Sequence, residues 1–140
     1  MQAALRRARL APAAIDYINA HATSTPAGDL AEIAALRHVF GAHLHGGVSV
    51  SSTKSAMGHL LGASGSVEAI LSVLSLRDQI VPPTLNLENR AAECEGIDLV
   101  AGKAYARPIR HVLSNSFGFG GTNAALIFAA PPEAARLQQA

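Results

Sequence analysis

Two histidines, a lysine and a glutamate are the residues of this chain best suited to chemistry. His21 sits in INAHATSTPAGDLAE, Lys54 and His59 share SSTKSAMGHLLGASG, and Glu68 follows in an otherwise apolar run. A cation and an imidazole thus stand at a strand-to-helix junction beside a segment that must enter the core. A buried, unpartnered Lys54 would be heavily penalised by desolvation. Glu68 is flanked by Val67, Ala69 and Ile70, which leave little room for a solvated face. A Lys54–Glu68 pair is therefore expected, since each charge compensates the burial of the other. For His21 and His59 three uses are open. They can act as general acid and base. They can bind a metal, although a lysine is a poor third ligand. They can also present two neutral N–H donors to one developing oxyanion, and a nearby ammonium favours the neutral form of an imidazole. The bland alternative is that each is a core histidine with satisfied hydrogen bonds.

Positioning such a set requires elements that end at one place. Residues 15–20, 48–52, 97–100, 111–116 and 122–130 read as strands from their β-branched and aromatic content. Residues 3–10 read as the last turns of a helix that Ala11-Pro12 ends, so the chain is expected to start inside an element. A second, amphipathic helix opens at Gly28-Asp29 and runs to Phe40, with Gly41 as its cap. A third, over 60–76, reads as a buried helix. Val81-Pro82-Pro83 cannot continue a helix, and 81–86 reads as an extended loop. The class is α/β, a mixed sheet covered by helices, in one domain over 1–130 with a tail at 131–140. His21, the Lys54/His59 pair and the 115–123 segment each lie just past a strand, and α/β folds gather their sites at strand carboxyl ends.

Composition narrows the function classes. Of the 140 residues 49% are hydrophobic and 15% charged, and the net charge is +1. There is no run of like charge, so neither nucleic acid nor an anionic membrane is implied. The apolar run 60–76 falls short of the roughly 20 residues that span a bilayer. The basic start MQAALRRARL lacks the Ser-rich length of a transit peptide, and no signal-peptide apolar region follows it. One cysteine fits a reducing compartment, and a cytoplasmic location is expected. That residue, Cys94, lies between Glu93 and Glu95, whose charges raise a thiol pKa, so it is a poor nucleophile. Phe119-Gly120-Gly121 within GFGGT lacks the spacing and the lysine of a phosphate loop, and reads as a tight backbone bend. His43 and His45 read as turn residues, and no metal site is expected.

The runs INAHATSTPAGDLAE, VSVSSTKSAMGHLLGASGSVEAI, VPPTLNLEN and SNSFGFGGTNAALIF, in this order, resemble the β-ketoacyl-[acyl-carrier-protein] synthases, above all the elongating enzymes of type II fatty-acid synthesis. The resemblance covers about 5–128 and implies the C-terminal half of a thiolase-like fold. That family joins an acyl group to a malonyl unit by decarboxylative Claisen condensation, with the acyl chain on a cysteine and two histidines stabilising the enolate. The motif matches imply that His21 and His59 are those histidines, Lys54 the supporting cation and Glu68 its partner. They imply that Thr23 and Thr25 contact the phosphopantetheine of acyl carrier protein, and that Phe119 gates the acyl pocket. The Phe119-Gly120 bend is expected to hold the acyl oxyanion through backbone N–H groups. No resident cofactor is implied. The implied partners are acyl carrier protein and a second subunit in a homodimer. Ala22 stands where the family usually has Gly, and its methyl would crowd the loop if φ were positive there. The nucleophilic cysteine belongs to the other half, so this chain alone is not expected to condense substrates.

Three further readings compete. A non-catalytic ketosynthase-like partner subunit would have no need of His21, Lys54 and His59 together. A polyketide ketosynthase shares the scheme but is less similar over 51–65. A thiolase acting on coenzyme A esters would normally replace the second histidine.

Overall fold

A computed structural model describes residues 1–131. Its main sheet has four strands in the order β2-β1-β5-β6: β1 Tyr17–Asn19, β2 Ser49–Ser51, β5 His111–Phe117 and β6 Asn123–Ala129. β1 pairs in parallel with both β2 and β5, while β6 returns antiparallel along β5 in a seven-residue hairpin register. The carboxyl ends of β1, β2 and β5 therefore lie along one edge of the sheet. His21, Lys54 and the bend after Phe117 all follow those ends.

Helices cover both faces. Alternation along the strands sends Ile18 and Leu113 into a core with Leu5 of α1 (Gln2–Ala8) and Ile33, Leu36 and Phe40 of α2 (Pro26–Phe40). It sends Tyr17 and Val112 to the opposite face, with Leu76 of α4 (Ser64–Asp78). The period of two in the strands thus sorts one sheet into two cores. α2 starts at Pro26, two residues before the expected Gly28, because proline is pre-organised for the first helical turn. It ends at Gly41, whose φ is 52°. A positive φ suits glycine, and Gly41 caps the helix as the sequence led one to expect.

Four expectations need correction. The helix expected over 60–76 is Ser64–Asp78, preceded by the four-residue α3 (Lys54–Met57) and a 3₁₀ turn over Leu61–Ala63. Nor is it buried all round. Its inward stripe is Ser64, Glu68, Ser72, Ser75 and Leu76, whereas Ile70 is 59% exposed. Residues 97–100 contribute a single parallel bridge, Asp98 to Ser49, rather than a strand, because the Asp98 carboxylate accepts from the Val100 N–H and curls the chain. The expected loop 81–86 begins in a strand: β3 (Ile80–Val81) pairs antiparallel with β4 (Tyr105–Ala106) as a separate two-stranded ribbon. The expected tail lies, beyond Pro131, outside the described residues.

Candidate active site

β1 ends at Asn19, and the chain turns through Ala20 to His21. What holds that turn is a residue the sequence reading passed over. Glu32, buried on α2, accepts hydrogen bonds from the backbone N–H groups of His21 (3.0 Å) and Ala22 (2.8 Å), and from Asn115 Nδ2 of β5 (3.0 Å). Burial raises the Glu32 pKa, against the pull of those three donors. Ala22 is not among the residues with positive φ, so its methyl meets no backbone conflict and packs beside the core.

His59 arrives by a different route. β2 leads into α3, whose first residue is Lys54, and Gly58 at φ 77° ends α3 and redirects the chain. The His59 ring is fixed at Nδ1, which lies 2.9 Å from Ser64 Oγ and accepts the Leu61 N–H at 3.1 Å. The Ser64 hydroxyl is itself held by the Leu60 N–H (2.8 Å). A ring nitrogen that accepts a backbone N–H carries no proton, so the ring proton sits on Nε2.

These two routes bring the imidazoles together. Their centroids are 5.6 Å apart with the rings at 87°, and the Phe117 ring lies 5.8 Å from His21 on its other side. Burial lowers the His21 pKa first, and the nearby Lys54 charge lowers it further, so the ring is neutral at pH 7. Lys54 forms an ion pair with Glu68 Oε1, and both side chains are almost wholly buried. Burial also raises the Glu68 pKa, with Lys54 acting in the opposite sense. The pair expected from the sequence is present.

The histidines open into a cleft of about 1110 Å³, also lined by Thr23, Thr25, Gly28, Phe117 and Phe119. The two threonine hydroxyls are 3.0 Å apart, and an added Cβ at Gly28 would lie 2.5 Å from Thr25 Oγ1. Phe119 begins a 3₁₀ turn in which Gly120 has φ 73°. Its side chain lies at the rim of the cleft and is 99% exposed, so in this chain it closes off no pocket. Cys94 lines a separate hollow of about 360 Å³ with Arg90 and Glu95. Its thiol pKa is raised, as expected, though burial contributes more than Glu93. His43 hydrogen-bonds the Ile15 carbonyl (2.9 Å) and His45 lies against Arg37 (3.3 Å), both as turn residues. Among the described residues no cluster of three or more His, Cys, Asp or Glu could hold a metal, and no helix is long and apolar enough to cross a membrane.

Ser64 and Phe117 were missed along with Glu32. A serine near a histidine is too common a signal to single out. Phe117 lies one residue past the expected strand 111–116, where nothing in the sequence marks it for the site.

A mixed sheet between helix layers, with two imidazoles and a buried ammonium at the parallel strand ends, places the chain among the thiolase-like ketosynthases. A solved beta-ketoacyl synthase from Burkholderia phymatum superposes with a TM-score of 0.87 at 42% identity, covering 94% of this chain and 31% of that one. A type II polyketide ketosynthase, solved in complex with its acyl-carrier protein, gives 0.89 at 30% identity, covering 94% and 32%. The beta-ketoacyl synthase C-terminal domain matches residues 1–88, and the chain belongs to that family. The 3-oxoacyl-[acyl-carrier-protein] synthase 2 of Rhizobium meliloti is 58% identical over 127 residues, which is 91% of this chain and 30% of that protein. The chain thus spans about a third of the curated relatives it matches.

Proposed function

We propose that the chain supplies the decarboxylation half of the site of a 3-oxoacyl-[acyl-carrier-protein] synthase, which condenses acyl groups with malonyl units on acyl carrier protein. The observation that carries this reading is the perpendicular His21–His59 pair lining the cleft, with the buried Lys54–Glu68 ion pair near it. In the reaction the bond between the malonyl carboxylate and Cα breaks and carbon dioxide leaves. The electron pair passes into an enolate whose charge rests on the thioester oxygen. Two neutral N–H donors aimed at that oxygen stabilise a charge absent from the ground state, which is what lowers a barrier. The carbanion then attacks the acyl thioester carbon and expels a cysteine thiolate. Cys94 does not line the cleft, so that thiol comes from outside these 140 residues.

Thr23 and Thr25 are assigned to the pantetheine arm, and Phe119 to the acyl entrance. The backbone at Phe119-Gly120 is assigned to the acyl oxyanion. Acyl carrier protein is the partner, in a cytoplasmic homodimer whose 1–130 segment is the C-terminal domain. The solved neighbour bound to its acyl-carrier protein supports the partner assignment. Identities of 49–58% to fatty-acid relatives, against 30% to that polyketide ketosynthase, favour the fatty-acid pathway.

The test uses the full-length protein in single turnover, with label on the acyl donor in one assay and on the malonyl carrier in the other. His21→Ala and His59→Ala are each expected to slow decarboxylation by about 10²–10³, while transfer of the acyl group to cysteine continues. Wild-type decarboxylation in both variants would refute the reading.

A further inference from the structure

His59 is gripped at its ring; His21 is not. No hydrogen-bond partner for His21 Nδ1 is found among the described residues, although that atom is buried. What locates His21 is its backbone: its own N–H and that of Ala22 each donate to one oxygen of the Glu32 carboxylate. That carboxylate is in turn anchored by Asn115 Nδ2. Asn115 is fully buried on β5, two residues before the Phe117 ring that flanks His21.

We infer that Glu32 and Asn115 form a positioning relay for His21, tying its loop to β5 so that the imidazole is aimed from behind rather than at the ring. The inference rests on the proposed function. Two physical arguments support it. A buried carboxylate is costly unless its oxygens are used, and here both are spent on consecutive backbone N–H groups of one loop. That geometry fixes the peptide plane that carries the His21 side chain. Secondly, Glu32 reaches from α2 and Asn115 from β5, so the loop is located against both elements at once. A shift of about 1 Å at a reacting group can cost about 10² in rate, which leaves such a relay a large effect with no contact to substrate.

The experiment is a double-mutant cycle in the full-length protein, read as malonyl-carrier decarboxylation with kcat and KM resolved. Glu32→Gln puts an amide where two backbone donors need acceptors. It is expected to lower kcat about 10²-fold, with KM unchanged within about twofold. In the His21→Ala background the same substitution is expected to change kcat less than about twofold, because its effect passes through a ring that is gone. Asn115→Ala keeps both backbone bonds and removes only the anchor. It is expected to lower kcat about tenfold, with the same dependence on His21, and it decides the matter if Glu32→Gln does not fold. Equal losses in the wild-type and His21→Ala backgrounds would overturn the relay, as would wild-type rates in the Glu32 and Asn115 variants. If His21→Ala itself has no effect, the proposed function falls first and the relay falls with it.

Discussion

Replacing Glu68 by glutamine keeps the shape of the side chain and deletes one charge from the most deeply buried ion pair described. The side chains of Lys54 and Glu68 are 5% and 1% exposed, so solvent cannot take over as counter-charge and no discount for screening applies. Glu68 Oε1 accepts from Lys54, while Oε2 has no partner among the described residues. Glutamine can still accept one hydrogen bond from the ammonium, so what is lost is the charge. Leaving one member of a buried pair uncompensated costs about 3–5 kcal/mol. For a protein about three times the length of this chain the scale is about 1 °C per kcal/mol, so Glu68→Gln is expected to lower the melting temperature of the full-length protein by about 3–6 °C. The double variant Lys54→Met with Glu68→Leu removes both charges at similar volume. It is expected to recover most of that loss, because replacing a buried pair by apolar side chains is often neutral or better. Recovered stability without recovered decarboxylation would give the pair an electrostatic role at the histidines. The assay is a thermal melt of each variant alongside the decarboxylation rate. A single variant that melts within about 1 °C of wild type, the scale for one kcal/mol, would refute the reasoning. So would a double variant no better than the single.

Two further outcomes are expected. Gly28→Ala forces Thr25 Oγ1 to move and breaks its 3.0 Å contact with Thr23. Losing about 0.5–1.5 kcal/mol of hydrogen bonding should raise KM for the carrier-bound substrate about two- to tenfold with kcat unchanged, and an unchanged KM would refute it. For pH, the His21 pKa is depressed in the fold, so above 6.5 both folded and unfolded forms are neutral and His21 adds no pH dependence. Below 6.5 the unfolded chain takes the proton first, so stability falls until the folded pKa is passed. The acid limb of decarboxylation that depends on His21 should therefore lie below 6.5, and a midpoint at or above that value in the full-length protein would refute the assignment.

What could be read from the sequence was what depends on residue type and local order. The strand-then-polar pattern placed His21 and Lys54 just past strands, because short β-branched and aromatic segments followed by polar residues have few other readings. The ion pair was legible because an unpaired buried charge has no cheap alternative. Glu32 was not legible. On α2 it looks like any acidic residue of an amphipathic helix. It becomes distinctive only once β5, far along the chain, brings Asn115 to it and the His21 loop turns its N–H groups inward. The bridge at Asp98 was misread for a related reason: Ile97, Leu99 and Val100 have strand propensity, but the carboxylate bonded to Val100 N–H bends the segment after one pairing.

The helix α4 shows where reading by hydrophobicity inverts. Its apolar residues suggested a fully buried element, yet the stripe on the sheet is mostly serine and Ile70 points outward. Small residues on that stripe let the helix backbone approach β5 closely. The hydroxyls of Ser72 and Ser75 are satisfied within the helix, by the Glu68 carbonyl at 2.8 Å and the Leu71 carbonyl at 3.0 Å. Bonded back to their own helix in this way, they cost little there. The same stripe begins with Ser64 and continues four residues later with Glu68, one turn apart on one face. Ser64 fixes Nδ1 of His59, and Glu68 neutralises Lys54. A single helix face thus sets the orientation of one imidazole and supplies the counter-charge of Lys54. A larger side chain at either position would lever α4 away from the sheet and move the two functions together, which explains why a helix so apolar keeps its polar residues inside.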